Sequence, residues 1–105
     1  MAVYVVQEVQ GRDILGAMKF GKLKLLLPDN AQIVLSAQPT VRKLNAALKD
    51  FSDDDYLLLM GDPVAMALAA SIAARHNQGR VKFLKWDRFE RMYYAVETDV
   101  SGREV

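Results

Sequence analysis

Tyr56-Leu57-Leu58-Leu59-Met60-Gly61-Asp62-Pro63 is the stretch that decides the fold. Its first five residues form a continuous apolar run bounded by turn signals. A half-buried strand would alternate apolar with polar, so this run predicts a central strand covered on both faces. Gly61 ends it. Asp62 can accept hydrogen bonds from the free amides of a following helix, and Pro63 carries the fixed φ that suits a first helical position. The helix is expected to reach about Asn77. Its alanines (65, 67, 69, 70, 73 and 74) make it thin enough to lie close on a sheet. Arg75 and His76 complement its carbonyl end, and Gly79 follows as a terminating glycine.

Toward the C-terminus, residues 81–86 (VKFLKW) read as a strand, 87–91 as a loop and 92–98 (MYYAVET) as a final strand antiparallel to its predecessor. Toward the N-terminus, Pro39-Thr40 opens a helix whose Val41, Leu44, Leu48 and Phe51 form one apolar stripe. Residues 32–36 (QIVLS) and 23–27 (LKLLL) read as strands joined through the Pro28-Asp29-Asn30 turn, which makes a hairpin plausible. Residues 10–21, punctuated by Gly11, Gly16 and Gly21, read as a loop with one helical turn after Asp13. Residues 3–9 (VYVVQEV) read as a strand.

Strand–helix–strand–helix–strand over 32–86 implies two right-handed parallel crossovers. The expected fold is a compact single α/β domain of Rossmann-like style. Its mixed sheet has a parallel centre, antiparallel additions from both chain ends, two main helices and a C-terminal antiparallel hairpin. The domain is expected over 1–100, with a frayed tail at 101–105.

The 105 residues are 51% hydrophobic and 26% charged, a composition that builds a core and argues against disorder. A net charge of +1 rules out a general polyanion-binding field, so any nucleic-acid binding must come from local clustering. The absence of cysteine excludes disulfides and thiolate metal sites, and a single histidine leaves zinc too few ligands. No signal peptide is evident at Met1-Ala2-Val3-Tyr4. The longest apolar stretch, Val64 to Ala74, contains Ser71 and is too short to span a bilayer. The expected setting is soluble and cytoplasmic, with no membrane partner, metal or cofactor.

The stretches LLLPDNAQIVLS, PTVRKL, DYLLLMGDPVA and GRVKFLKWDR resemble a group of small uncharacterised proteins encoded by tailed bacteriophages. The likeness runs from about Val3 to Val100. It implies a phage origin and a host-cytoplasm setting, and contributes no site residues.

Two places are candidate sites. Gly61 and Asp62 occupy a strand-to-helix turn of the kind where open α/β sheets bind ligands and where helix amides attract phosphate. The turn has one glycine and neither phosphate-binding fingerprint, and Asp62 competes for the same amides. A cap and a helix start are the simpler reading. The second candidate is the basic, aromatic hairpin. Arg80, Lys82, Lys85, Arg88 and Arg91 face only Asp87 and Glu90, with Phe83, Trp86, Phe89, Tyr93 and Tyr94 interleaved. Basic groups hold phosphates and exposed aromatics stack on bases. Lysines and arginines on an outer strand also guard it against edge pairing.

Catalytic residues are not expected. His76 sits at a helix end, the serines lack an elbow motif, and Asp53-Asp54-Asp55 lacks the alternating spacing and glycine bend of a calcium loop. The reading is a non-enzymatic interaction or regulatory domain whose partner is a second copy, a homodimer; a host or phage protein is a further candidate. The alternatives are a nucleic-acid-binding module using hairpin 80–94 and a nucleotide or phosphate binder at Gly61. Self-association follows from counting faces. Sequential strands put both helices on one face and leave the other apolar and bare, unless residues 10–21 fold over it.

Overall fold

A computed structural model describes residues 1–31, 33 and 36–105. Among the described residues five strands form one sheet: β1 (Ala2–Gln7), β2 (Lys22–Leu27), β3 (Tyr56–Leu58), β4 (Arg80–Asp87) and β5 (Met92–Asp99). Their spatial order is β2-β1-β3-β4-β5. The first three pairings across the sheet are parallel, and β4–β5 is an antiparallel hairpin. Two long helices, α1 (Gln38–Ala47) and α2 (Pro63–His76), and a 3-10 helix at Leu15–Phe20 complete the domain. The α/β class, parallel centre, two main helices and terminal hairpin are as the sequence implies.

The N-terminal strand departs from expectation. It is no antiparallel addition but lies in the parallel centre, between β2 and β3. All six of its residues are buried, because Ala2, Tyr4 and Val6 face one side while Val3 and Val5 face the other. The run Val3-Tyr4-Val5-Val6 is as continuously apolar as that of β3, and the same rule places it centrally. The strand expected at 32–36 falls largely outside the described residues. Ile33 and Ser36 themselves belong to no strand, and among the described residues the strand that precedes α1 is β2. β3 is shorter than its apolar run: Leu59 is exposed and Met60 lies past the last pairing. Phe51 lies beyond the end of α1, yet it is buried and its ring stands 5.7 Å from that of Tyr4.

Both crossovers, β2–α1–β3 and β3–α2–β4, travel the same way across the sheet. Right-handed connections therefore put α1 and α2 on one face, where Leu44, Leu48, Ala69 and Ala73 pack with Tyr4, Val6 and Leu57. The connection from β1 to β2 travels the opposite way and carries its 3-10 helix to the other face. There Ala17 packs with Val3, Val5, Leu58, Leu84 and Tyr93. The face expected to be bare is thus covered by residues 15–20. Each fully buried valine or leucine contributes about 1.5–3 kcal/mol, and Val3, Val5, Leu44 and Leu57 are among them.

The basic residues of β4 do not guard an edge, because β5 lies outside it. The edges are β2, which carries Lys22 and Lys24, and β5, whose eight residues MYYAVETD contain no lysine, arginine, glycine or proline.

Candidate functional site

The winding of the sheet reverses between β1 and β3, the place where open α/β sheets usually leave a ligand crevice. Here Gln7 fills it. Its Oε1 accepts the Asp62 amide at 2.6 Å, and its Nε2 donates to the carbonyls of Pro28 at 3.1 Å and Ala31 at 2.7 Å. One buried side chain thus ties together the chain segments that follow β2 and β3. Gly61 has φ +104°, and a Cβ there would overlap Gln7 Oε1. Glycine is required both for that backbone conformation and for that approach. Asp62 Oδ1 accepts from the amides of Val64 at 2.7 Å and Ala65 at 3.3 Å, so it caps α2.

The hairpin residues do not act as one stripe. Arg80 Nε bonds Asp53 Oδ1 at 3.0 Å, the only ion pair among the described residues. Asn77 Nδ2 bonds the same oxygen at 2.8 Å. Arg80 and then Asn77 hold the Asp53 carboxyl below its usual range, and Asp53 in turn raises the Arg80 value. The Lys82 ammonium stands 4.4 Å from the Tyr56 ring centre. Arg88 lies over the ring of Phe89, which is 87% exposed in the turn. Asp87 Oδ1 shapes that turn by accepting from the amides of Phe89 and Glu90.

Lys85, Trp86 and Arg91 do come together, on a groove of about 950 Å³ at the carboxyl ends of the parallel strands. The other wall is the segment after β1, with Arg12, Asp13 and Lys19. Leu58, Met60, Leu84 and Tyr93 add apolar and aromatic lining. Tyr93 fastens the two walls: its hydroxyl donates to the Asp13 carbonyl at 3.3 Å, and its ring centre lies 4.9 Å from that of Trp86, edge to face. Burial pushes the Tyr93 phenol pKa up, the Asp13 charge adds to this and Arg12 opposes it. Asp13 Oδ1 is engaged by the Leu15 amide. Sequence reading missed Arg12, Lys19 and Gln7. The first two sit in a glycine-punctuated loop and Gln7 at a strand end, and nothing local joins them to the hairpin or to the Gly61 turn.

The remaining polar candidates have structural partners. Asp55 is buried: its Oδ1 accepts the Ala2 amide and its Oδ2 accepts the Ser52 amide and hydroxyl. Asn45 of α1 accepts from Arg75 and meets His76 Nε2 at 2.6 Å, joining α1 to the end of α2. Among the described residues no group of three acidic, histidine or cysteine side chains is placed to hold a metal ion, and no helix is long and apolar enough to cross a membrane.

The family described as phage Pam3 gp32-like protein matches residues 1–100. Neither the curated proteins nor the solved structures contain a match to the chain.

Proposed function

This chain belongs to the phage family so matched, and we propose that it is a non-enzymatic interaction domain that acts as a homodimer, joined through strand β5. The carrying observation is that β5 is an open, apolar edge. On its helix-side face Met92, Tyr94 and Val96 are 44%, 40% and 36% exposed, and Val100 follows at 70%. α2 packs over β1 and β4. It leaves a groove of about 550 Å³ between Ala70 and Ala74 on the helix and Phe83 and Val100 on the hairpin. A monomer ordinarily blunts such an edge with lysine, proline or a bulge, and β2 carries lysines where β5 has none.

A second copy is the partner these features favour. Arg88 and Arg91 lie in the turn that leads into β5, and Glu97 and Asp99 at the strand's end. An antiparallel twofold pairing lays the basic end of one strand on the acidic end of the other and brings the two apolar strips together. Cytoplasmic action in the host belongs to the same proposal. The other two readings draw less support. Arg80 and Lys82 are engaged within the domain, which breaks the hairpin's basic stripe. At the Gly61 turn, Gln7 and Asp62 already occupy the groups a phosphate would use.

Light scattering at micromolar concentration tests the proposal. The expected mass is twice 11.8 kDa, falling to the single-chain value for Val96→Glu, which a monomer tolerates because the side chain is partly exposed. A single-chain mass for the unaltered protein overturns it.

A further inference from the structure

We infer that the groove between the 3-10 helix and the β4–β5 hairpin binds a nucleoside phosphate unit, with its base against Trp86 and its phosphate on Arg12 and Lys19. The site lies at the carboxyl ends of β3 and β4, the end of a parallel sheet at which ligands collect. Its volume of about 950 Å³ falls in the range of small-molecule clefts.

Both halves of the ligand have a matching wall. Trp86 is 47% exposed although it lies against Tyr93, so part of its ring faces the groove. An indole in that state offers a stacking surface whose loss on truncation costs about 1–3 kcal/mol per base in single-strand binders. Leu58, Met60 and Leu84 extend the apolar lining beside it.

Four basic residues, Arg12, Lys19, Lys85 and Arg91, border the same groove against the single carboxylate of Asp13, with Lys85 set on the helix-side face beside Tyr94 by the β4–β5 register. None of the four forms an ion pair among the described residues. The Asp13 carboxylate opposes an anion, but the Leu15 amide already holds one of its oxygens. Tyr93 fixes the segment that carries Arg12 and Lys19 to the hairpin through the Asp13 carbonyl, and the exposed Lys19 ammonium stands 5.3 Å from the Phe20 ring centre. Met92 and Val96 border this groove as well as the apolar strip proposed for dimerisation, so the two readings are kept apart by their readouts: mass reports the dimer and indole fluorescence reports the groove.

The same chemistry is presented by a free nucleotide and by a nucleotide within a single strand, and one titration distinguishes them. Trp86 is the only tryptophan, so its fluorescence reports occupancy without a label. The unaltered protein is titrated at low salt with adenosine monophosphate and, separately, with a short oligothymidylate. Saturable quenching is expected with at least one probe. Raising the salt should weaken it, and Arg12→Ala/Lys19→Ala should weaken it roughly tenfold or more. Lys49→Ala, on the exposed side just past α1, should leave it unchanged. Quenching by the oligonucleotide alone assigns the site to a strand, and quenching by both assigns it to the nucleotide unit itself. Arg12 and Lys19 are exposed, so the double variant should keep the wild-type melting temperature. No quenching by either probe up to about 1 mM, or quenching that the double variant leaves intact, overturns the inference.

Discussion

Gln7 Oε1 accepts the Asp62 amide across 55 residues of sequence, and this bond closes the crevice where the sheet reverses its winding. The same side chain donates to two carbonyls after β2. The three strands β2, β1 and β3 are therefore locked at their carboxyl ends by one amide group.

Replacing Gln7 by Leu should leave the Pro28 and Ala31 carbonyls and the Asp62 amide without their partner, at about 1–3 kcal/mol for each group kept from water. Gly61→Ala should also destabilise, because its φ of +104° is strained for alanine and its Cβ would overlap Gln7. A cost of about 1–3 kcal/mol is expected for the backbone alone. Gln7→Ala removes Oε1 and Cδ but keeps the Cβ that an alanine at 61 would also overlap, so Gly61→Ala should recover only part of its cost in that background. Urea melts of the two single variants and the double variant measure this coupling.

Asp62 should behave as a cap. Asp62→Asn should be nearly silent, since asparagine caps about as well, and Asp62→Ala should cost on the order of 1 kcal/mol. Thermal melts decide this. A metal-dependent rise in melting temperature that disappears in Asp62→Asn would show instead that the carboxylate holds a cation.

The turn at Gly61 and Asp62 was legible because a cap is a local device: acceptor, proline and alanine-rich helix follow within a few residues. The antiparallel hairpin was legible for the same reason. The placement of β1 was not. Val3-Tyr4-Val5-Val6 carried the same continuous apolar signal as β3, but strand order depends on crossovers that no short window contains. Gln7 was hidden by its chemistry, because a glutamine at a strand end looks solvated until the carbonyls that satisfy it are known. The groove was half visible. Trp86 and Arg91 stood out in the hairpin, whereas Arg12 and Lys19 reach them only through the Tyr93–Asp13 contact.

Two pH dependences follow from the shifted groups. The Asp53 carboxyl is depressed below its usual 3.8, first by Arg80 and then by Asn77. Its contribution is present above the unfolded value and is lost as pH falls through the folded one. Asp53→Asn should flatten the acid limb of the stability profile, modestly, since the pair is solvent-screened. Tyr93 shifts the other way, raised above 10.0 by burial and by Asp13. Its contribution is complete below the unfolded value and is lost as pH rises through the folded one. Tyr93→Phe should remove that alkaline loss. Denaturant midpoints across the pH range test both signs.

Amide hydrogen exchange across a concentration series reads whether β5 is an interface. Exchange over Met92–Asp99 should slow as the protein is concentrated through the micromolar range, while Lys22–Leu27 on the opposite edge stays constant. Val96→Glu should abolish the concentration dependence. Exchange at β5 that is the same at every concentration, in a protein that sediments as a single chain throughout, would show that β5 is no interface.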